Sequence, residues 1–315
     1  MPVSARLLCA FALFAALLGG CTAEPEAPGE RAARMDSTSA DADSAATADP
    51  DPASLDLARV VTIGGPITET VYAFGLGENV VGTDRSSLYP ESVNAKPRLD
   101  YFRQTSAEGV LSLEPTLVLA VEGTGPPGVV EQIRAAGVPV VVMDEVVDVA
   151  SAEARVLRLG RLLGREAQAD SVVAAMRSGI AAAAADRPAT ALRVLFVYSR
   201  GAAVVLAAGT GGAPDAILRL AGAENAMTGY EGFRPLTAES VVAAAPDVIV
   251  VPANGLESLG GIDGLLRQPG LAQTPAGQNR RVVAVDDALL LGFGPRVGEG
   301  VRDLARGLSG ASAPQ

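Results

Sequence analysis

The chain has 315 residues, with 36 acidic and 25 basic side chains and a formal net charge of −11, a balance that offers no basic footprint for a nucleic-acid backbone. It contains no histidine, so His-based metal sites and Ser-His-Asp or Cys-His catalysis are out of reach.

Met1 to Gly20 carries one early cation, Arg6, and then an apolar run from Leu7 to Leu18. Such a run is too short to span a bilayer with ease, and residues 1–20 read as a secretory signal. It ends Leu18-Gly19-Gly20-Cys21, which resembles the bacterial lipoprotein cleavage signal with Cys21 as the lipidated residue. The other cysteine, Cys9, lies inside that signal, so the mature chain would be exported without a disulfide. Residues 21–56 are Ala, Asp, Glu, Ser, Thr and Pro with almost no large apolar side chain. Such a stretch cannot bury enough surface to offset chain entropy and is expected to be a disordered tether. Roughly 255 residues remain, enough for two modest lobes.

The first lobe is predicted over residues 57–148. Val60 to Gly65 is a short β-rich run ending in glycines, Thr68 to Phe74 suits a helix, and Val80 to Thr83 is a second strand. Leu117 to Val121 and Val138 to Met143 are continuous apolar runs, as buried parallel strands require. Pro127 to Ala136 between them fits a helix stopped by Gly137. Residues 149–187 break the rhythm. Leu157, Leu159, Leu162 and Leu163, then Val172, Val173 and Met176, predict one long helix of about 35 residues, or some 50 Å. The second lobe, residues 188–312, opens with a strand at Val194 to Tyr198. A helix at Pro214 to Leu220, strands at Val248 to Val251 and Val282 to Val285, and a closing helix from Pro295 to Leu308 follow. The fold class is therefore α/β, two lobes with central parallel sheets joined by one helix. A single rigid connection should let the lobes open and close only slightly.

A local repeat relates the lobes. Ser106-Ala107-Glu108-Gly109-Val110 is echoed by Thr237-Ala238-Glu239-Ser240-Val241, and Pro115-Thr116-Leu117-Val118-Leu119 by Pro246-Asp247-Val248-Ile249-Val250. The offset is constant (237 − 106 = 131 and 246 − 115 = 131) and aligns Arg103 with Arg234. Tyr101 has no counterpart, because Gly232 stands at the matching place. The glycine-rich pieces Gly123 to Gly128 and Gly209 to Pro214 lack the Gly-Lys-Ser/Thr ending of a phosphate loop and read as strand-to-helix turns.

Ile63 to Glu69, Ser87-Leu88-Tyr89-Pro90, Tyr101 to Leu113 and Leu291-Gly292-Phe293-Gly294-Pro295-Arg296 resemble the haem-binding proteins of bacterial haem ABC importers, over about Val60 to Leu308. The resemblance implies the class III periplasmic binding protein fold, with two Rossmann-like lobes. It implies haem as the transported ligand, no catalytic cofactor and no enzymatic activity. The partners would be an ABC permease and its ATPase, and a lipid on Cys21 would anchor the protein outside the cytoplasmic membrane. It also implies that Tyr101 ligates the haem iron through its phenolate, a hard anionic oxygen suited to Fe(III).

Arg103, two residues on, would project the same way if this segment is extended, and would then support the phenolate. Arg234 would face the same haem from the second lobe, with Phe102 and Phe233 shielding the ring or simply packing. Tyr230 and Met227 are the nearby candidates for a second axial ligand, although loop filling accounts for either; Tyr72 and Tyr198 read as core. Glu108 and Glu239 are matched by the repeat, and the resemblance implies that each docks onto permease arginines. Thr105-Ser106-Ala107-Glu108 also has capping-box spacing, and the two roles are compatible. The rivals are a cobalamin or ferric-siderophore binder of the same fold, an extracytoplasmic enzyme using Asp/Glu chemistry, and a structural lipoprotein that binds only protein.

Overall fold

The computed structural model describes residues 49–201 and 204–312, so the signal segment, Cys21 and most of the predicted tether lie outside the described residues. Four short Val-rich runs form the first sheet: β1 (Val60–Ile63), β2 (Val80–Thr83), β3 (Leu117–Val121) and β4 (Val140–Met143). They pair in the order β2-β1-β3-β4, all parallel, with Val60 beside Leu117 and Val118 beside Val140. The sheet is buried on both faces, which is why the runs are continuous rather than alternating. Val60, Leu117, Leu119 and Met143 pack with Ile67 and Val71 of α1 (Gly65–Ala73). Val61, Val118 and Ala120 pack on the other side with Val110 of α2 (Ala107–Leu111) and Ile133 of α3 (Val129–Ala135).

The long helix expected over 149–187 is two helices, α4 (Val149–Leu162) and α5 (Glu166–Ala183). They run antiparallel, since the Arg177 guanidinium bonds the Glu153 carboxylate at 2.6 Å where a continuous helix would set those residues about 36 Å apart. The chain reverses at Gly164, whose φ of 61° suits glycine. Gly160 permits the close approach, because a Cβ there would stand 2.5 Å from that of Ala169. Both helices turn leucines and valines to the same core, so their sequence has the apolar stripe of one helix. The single joining helix is therefore α5 alone.

The predicted tether also ends earlier than residue 56. Asp49 forms a two-point ion pair with Arg158, Leu55 packs on the core, and the Asp56 carbonyl accepts from Thr116 Oγ1 at 2.8 Å.

In the second lobe the strands are β5 (Arg193–Ser199), β6 (Val205–Ala208), β7 (Glu224–Asn225), β8 (Phe233–Pro235), β9 (Val248–Pro252) and β10 (Val282–Val285). The helices are α6 (Gly212–Leu220), α7 (Ala238–Ala244), α8 (Ala253–Ser258), α9 (Gly261–Leu266), α10 (Pro275–Gln278), α11 (Asp287–Leu291) and α12 (Val297–Ser312). Strands β5, β9 and β10 are parallel as expected. An antiparallel ribbon, β5-β6-β8, extends the sheet and was not legible beforehand. Strand β6 is four residues long, and β8 is three and ends in proline, an edge position that leaves no alternation to read.

The repeat is physical. Ser106 and Thr237 cap α2 and α7 through their hydroxyls, and Glu114 and Ala245 take φ of 47° and 43° immediately before the matching prolines. The cap is Ser106 rather than Thr105, whose hydroxyl turns back to the Asp100 carbonyl.

The segment Gly292–Arg296, between α11 and α12, is clamped on the first lobe. Buried Arg155 of α4 donates to the carbonyls of Gly292 and Phe293 at 3.2 and 2.8 Å, and burial pushes its pKa down to about 10. Arg296 pairs with Glu69 of α1 at 2.6 Å and lies 3.6 Å from the centre of the Tyr89 ring. Burial holds the Glu69 carboxyl above its ordinary range, against the pull of Arg296. Together with α5, buried Arg155 and Glu69 and partly buried Arg296 hold the lobes against one another, because separating them would strand charge in low dielectric.

Candidate functional site

Tyr101 stands at the C-terminal ends of the first sheet's strands, where open α/β sheets bind ligands. Its place is set by Asp84, a fully buried residue just past β2. One carboxylate oxygen accepts from the Gly64 amide and the Ser87 hydroxyl at 2.8 and 2.9 Å. The other accepts from the Ser86 amide, the Ser86 hydroxyl and the Phe102 amide at 2.9, 2.6 and 3.1 Å. The Phe102 carbonyl in turn accepts from the Gly125 amide at 2.7 Å. Gly125 has φ of 71° and a Cβ on it would meet Val129 at 2.7 Å, so this turn requires glycine. The Tyr101 backbone is thereby tied to the loops after both β2 and β3.

The Tyr101 ring is half-buried and tilted against Phe102, with centroids 4.6 Å apart. Its hydroxyl makes no hydrogen bond among the described residues. Burial raises its pKa, as does Tyr198 from β5, while Arg200 and then Arg103 pull it down and Asp84 pushes it up. Arg200, directly after β5, lies with its guanidinium 4.1 Å from the centre of the Tyr101 ring. Phe233 of β8 joins this group through Tyr198, at 5.8 Å between ring centres.

The remaining predicted residues are placed differently. Phe102–Gln104 is a turn of 3-10 helix, so Arg103 does not project alongside Tyr101 as an extended segment would require. It leans over the Phe102 ring at 4.8 Å and across Gly123. Arg234 follows Phe233 in a strand and so points to the opposite face, where it stacks on Tyr230 at 4.7 Å. The Tyr230 hydroxyl is engaged with the Ala207 carbonyl at 3.0 Å. Met227 is buried in the second lobe's core, as loop filling would have it. Glu108 and Glu239 are exposed in the first turns of α2 and α7.

Three residues of the cluster were missed. Tyr198 reads as core in the sequence, yet strand alternation puts it with Phe196 and Phe233 and brings it near Tyr101. Arg200 gave no signal beyond lying at a strand end before Gly201. Asp84 was legible in principle, as the acid of Asp84-Arg85-Ser86-Ser87 directly after a strand, a turn signature.

The profile of the family described as "Periplasmic binding protein" matches residues 60–289. Among solved structures, the periplasmic heme-binding protein RhuT from Roseiflexus sp. RS-1, in apo form, is 43% identical with a TM-score of 0.78 over 81% of this chain and 99% of that one. The periplasmic heme-binding protein BhuT in complex with two hemes is 42% identical with a TM-score of 0.75 over the same shares, 81% and 99%. An uncharacterized ABC transporter substrate-binding lipoprotein of Bacillus subtilis, YvrC, is 27% identical over 79% of either chain.

Proposed function

The chain belongs to the periplasmic binding protein family, and on that premise we propose that it is an extracytoplasmic haem carrier that delivers ferric haem to an ABC permease driven by an ATPase. The observation that carries this reading is Tyr101. It is a rigidly held tyrosine at the strand ends with an unengaged oxygen, facing a cation from the other lobe. Ferric iron favours such an oxygen, and a porphyrin would lie against the apolar surface of Phe102, Tyr198 and Phe233. The protein does no bond chemistry. Its work is to hold the cargo outside the membrane, tethered by lipid on Cys21, and to present it.

Titration of the purified protein with haemin tests this. A one-step, high-spin ferric spectrum with a phenolate charge-transfer band is expected. No spectral change with haemin, alongside binding of aquocobalamin or a ferric siderophore, would replace haem by that cargo.

Glu108 and Glu239 serve as docking points for permease arginines in this reading, supported by their exposure at equivalent helix starts. The double substitution Glu108→Arg with Glu239→Arg should leave haemin affinity unchanged while abolishing stimulation of the cognate ATPase, because like charges would then meet. Normal stimulation by that variant would reduce the two glutamates to ordinary first-turn acids.

A further inference from the structure

Arg296 is paired with Glu69 at 2.6 Å, whereas Arg103, Arg234 and Arg200 have no carboxylate partner among the described residues and each lies over one aromatic ring, of Phe102, Tyr230 and Tyr101 respectively. What sets Arg200 apart is that its ring is that of Tyr101. Arg200 is exposed and has neither a carboxylate partner nor a side-chain hydrogen bond among the described residues. It rests on the Tyr101 ring face at 4.1 Å, a contact that is weak at an exposed site. Its five N–H donors are thus available. Its backbone, by contrast, is fixed, since the Arg200 amide bonds the Val204 carbonyl at 3.0 Å in the turn between β5 and β6.

A guanidinium that lies on the Tyr101 ring and is otherwise unpaired among the described residues is suited to receive an anion carried by whatever Tyr101 binds. Resting on the haem reading above, we propose that Arg200 selects the cargo by its carboxylate edge, leaving the Tyr101 ring to form a two-point pair with a carboxylate of the macrocycle. Guanidinium matches carboxylate geometry in two parallel N–H to oxygen bonds. The substrate class is then a flat macrocycle with free carboxylates, as distinct from one whose side chains are neutral amides or esters, which give the cation no countercharge.

The test compares haemin with haemin dimethyl ester, in the same detergent, on the full chain. Wild type should prefer haemin. Arg200→Ala should weaken haemin binding about 10- to 100-fold more than ester binding, keep the phenolate band and so erase the preference. Arg200→Lys should retain part of it. An Arg200→Ala protein that keeps the wild-type preference, or that loses both ligands equally, overturns the assignment while the haem reading stands. A wild type that leaves haemin free in solution overturns both. The exposed position makes misfolding of the variant no rival explanation, and an unchanged thermal melt checks it.

Discussion

Tyr101→Phe is expected to abolish the phenolate-to-iron charge-transfer band and to weaken haemin binding by about 100-fold or more, given that even a residue that only orients a metal ligand is worth roughly 10- to 100-fold. The fold should be untouched, because the lost hydroxyl has no hydrogen bond among the described residues and the ring keeps its packing on Phe102. The proton balance adds a second readout. Burial and Tyr198 hold the phenol above its ordinary pKa, against the pull of Arg200 and Arg103, so the empty site is protonated at neutral pH. Binding iron through the phenolate must release that proton, so affinity should weaken by up to about tenfold for each unit by which the pH is lowered. In Tyr101→Phe that pH dependence should disappear together with the band. A variant that keeps both would remove Tyr101 from the metal.

Asp84→Ala should cost about 3–4 kcal/mol of unfolding free energy, measured by urea denaturation, and should also degrade haemin binding. The carboxylate is fully buried and accepts five hydrogen bonds, from Gly64, Ser86 (twice), Ser87 and Phe102. Removing it orphans those donors, and each unsatisfied buried donor costs on the order of 1–3 kcal/mol before relaxation and entry of water offset part of it. Phe102 loses its tie at the same time, so Tyr101 is no longer held towards the second lobe. Asp84→Asn keeps the volume but supplies an NH₂ where two amides donate, and should fall between. Stability equal to wild type in Asp84→Ala would show that the network is dispensable. Lowered stability with unchanged haemin binding would show that Asp84 builds the lobe without positioning the tyrosine.

Most of the architecture was legible from the chain because its signals are local. A buried parallel strand must be continuously apolar, so β1, β3, β4, β5 and β9 announced themselves. The repeat predicted α2 and α7 as equivalents, and their hydroxyl caps and left-handed residues before the prolines agree. Two things escaped. The helix over 149–187 looked single because an antiparallel pair presents the same stripe to one core, and only the tertiary contact between Glu153 and Arg177 separates the two cases. The ribbon of β6 and β8 escaped because short edge strands bury too little to leave a pattern.

The candidate site divides the same way. Sequence by itself determined the absence of histidine chemistry and the α/β class, since these depend on composition and on patterns within one segment, while it was the resemblance to haem-binding proteins that singled out Tyr101. Which groups surround that tyrosine was decided only by tertiary structure. Arg103 is two residues from it but turned aside by a 3-10 turn, whereas Arg200 and Tyr198 belong to the other lobe and approach it from there. Distance along the chain carries no information about such contacts. They follow from how α5 and the buried Glu69–Arg296 pair set one lobe against the other.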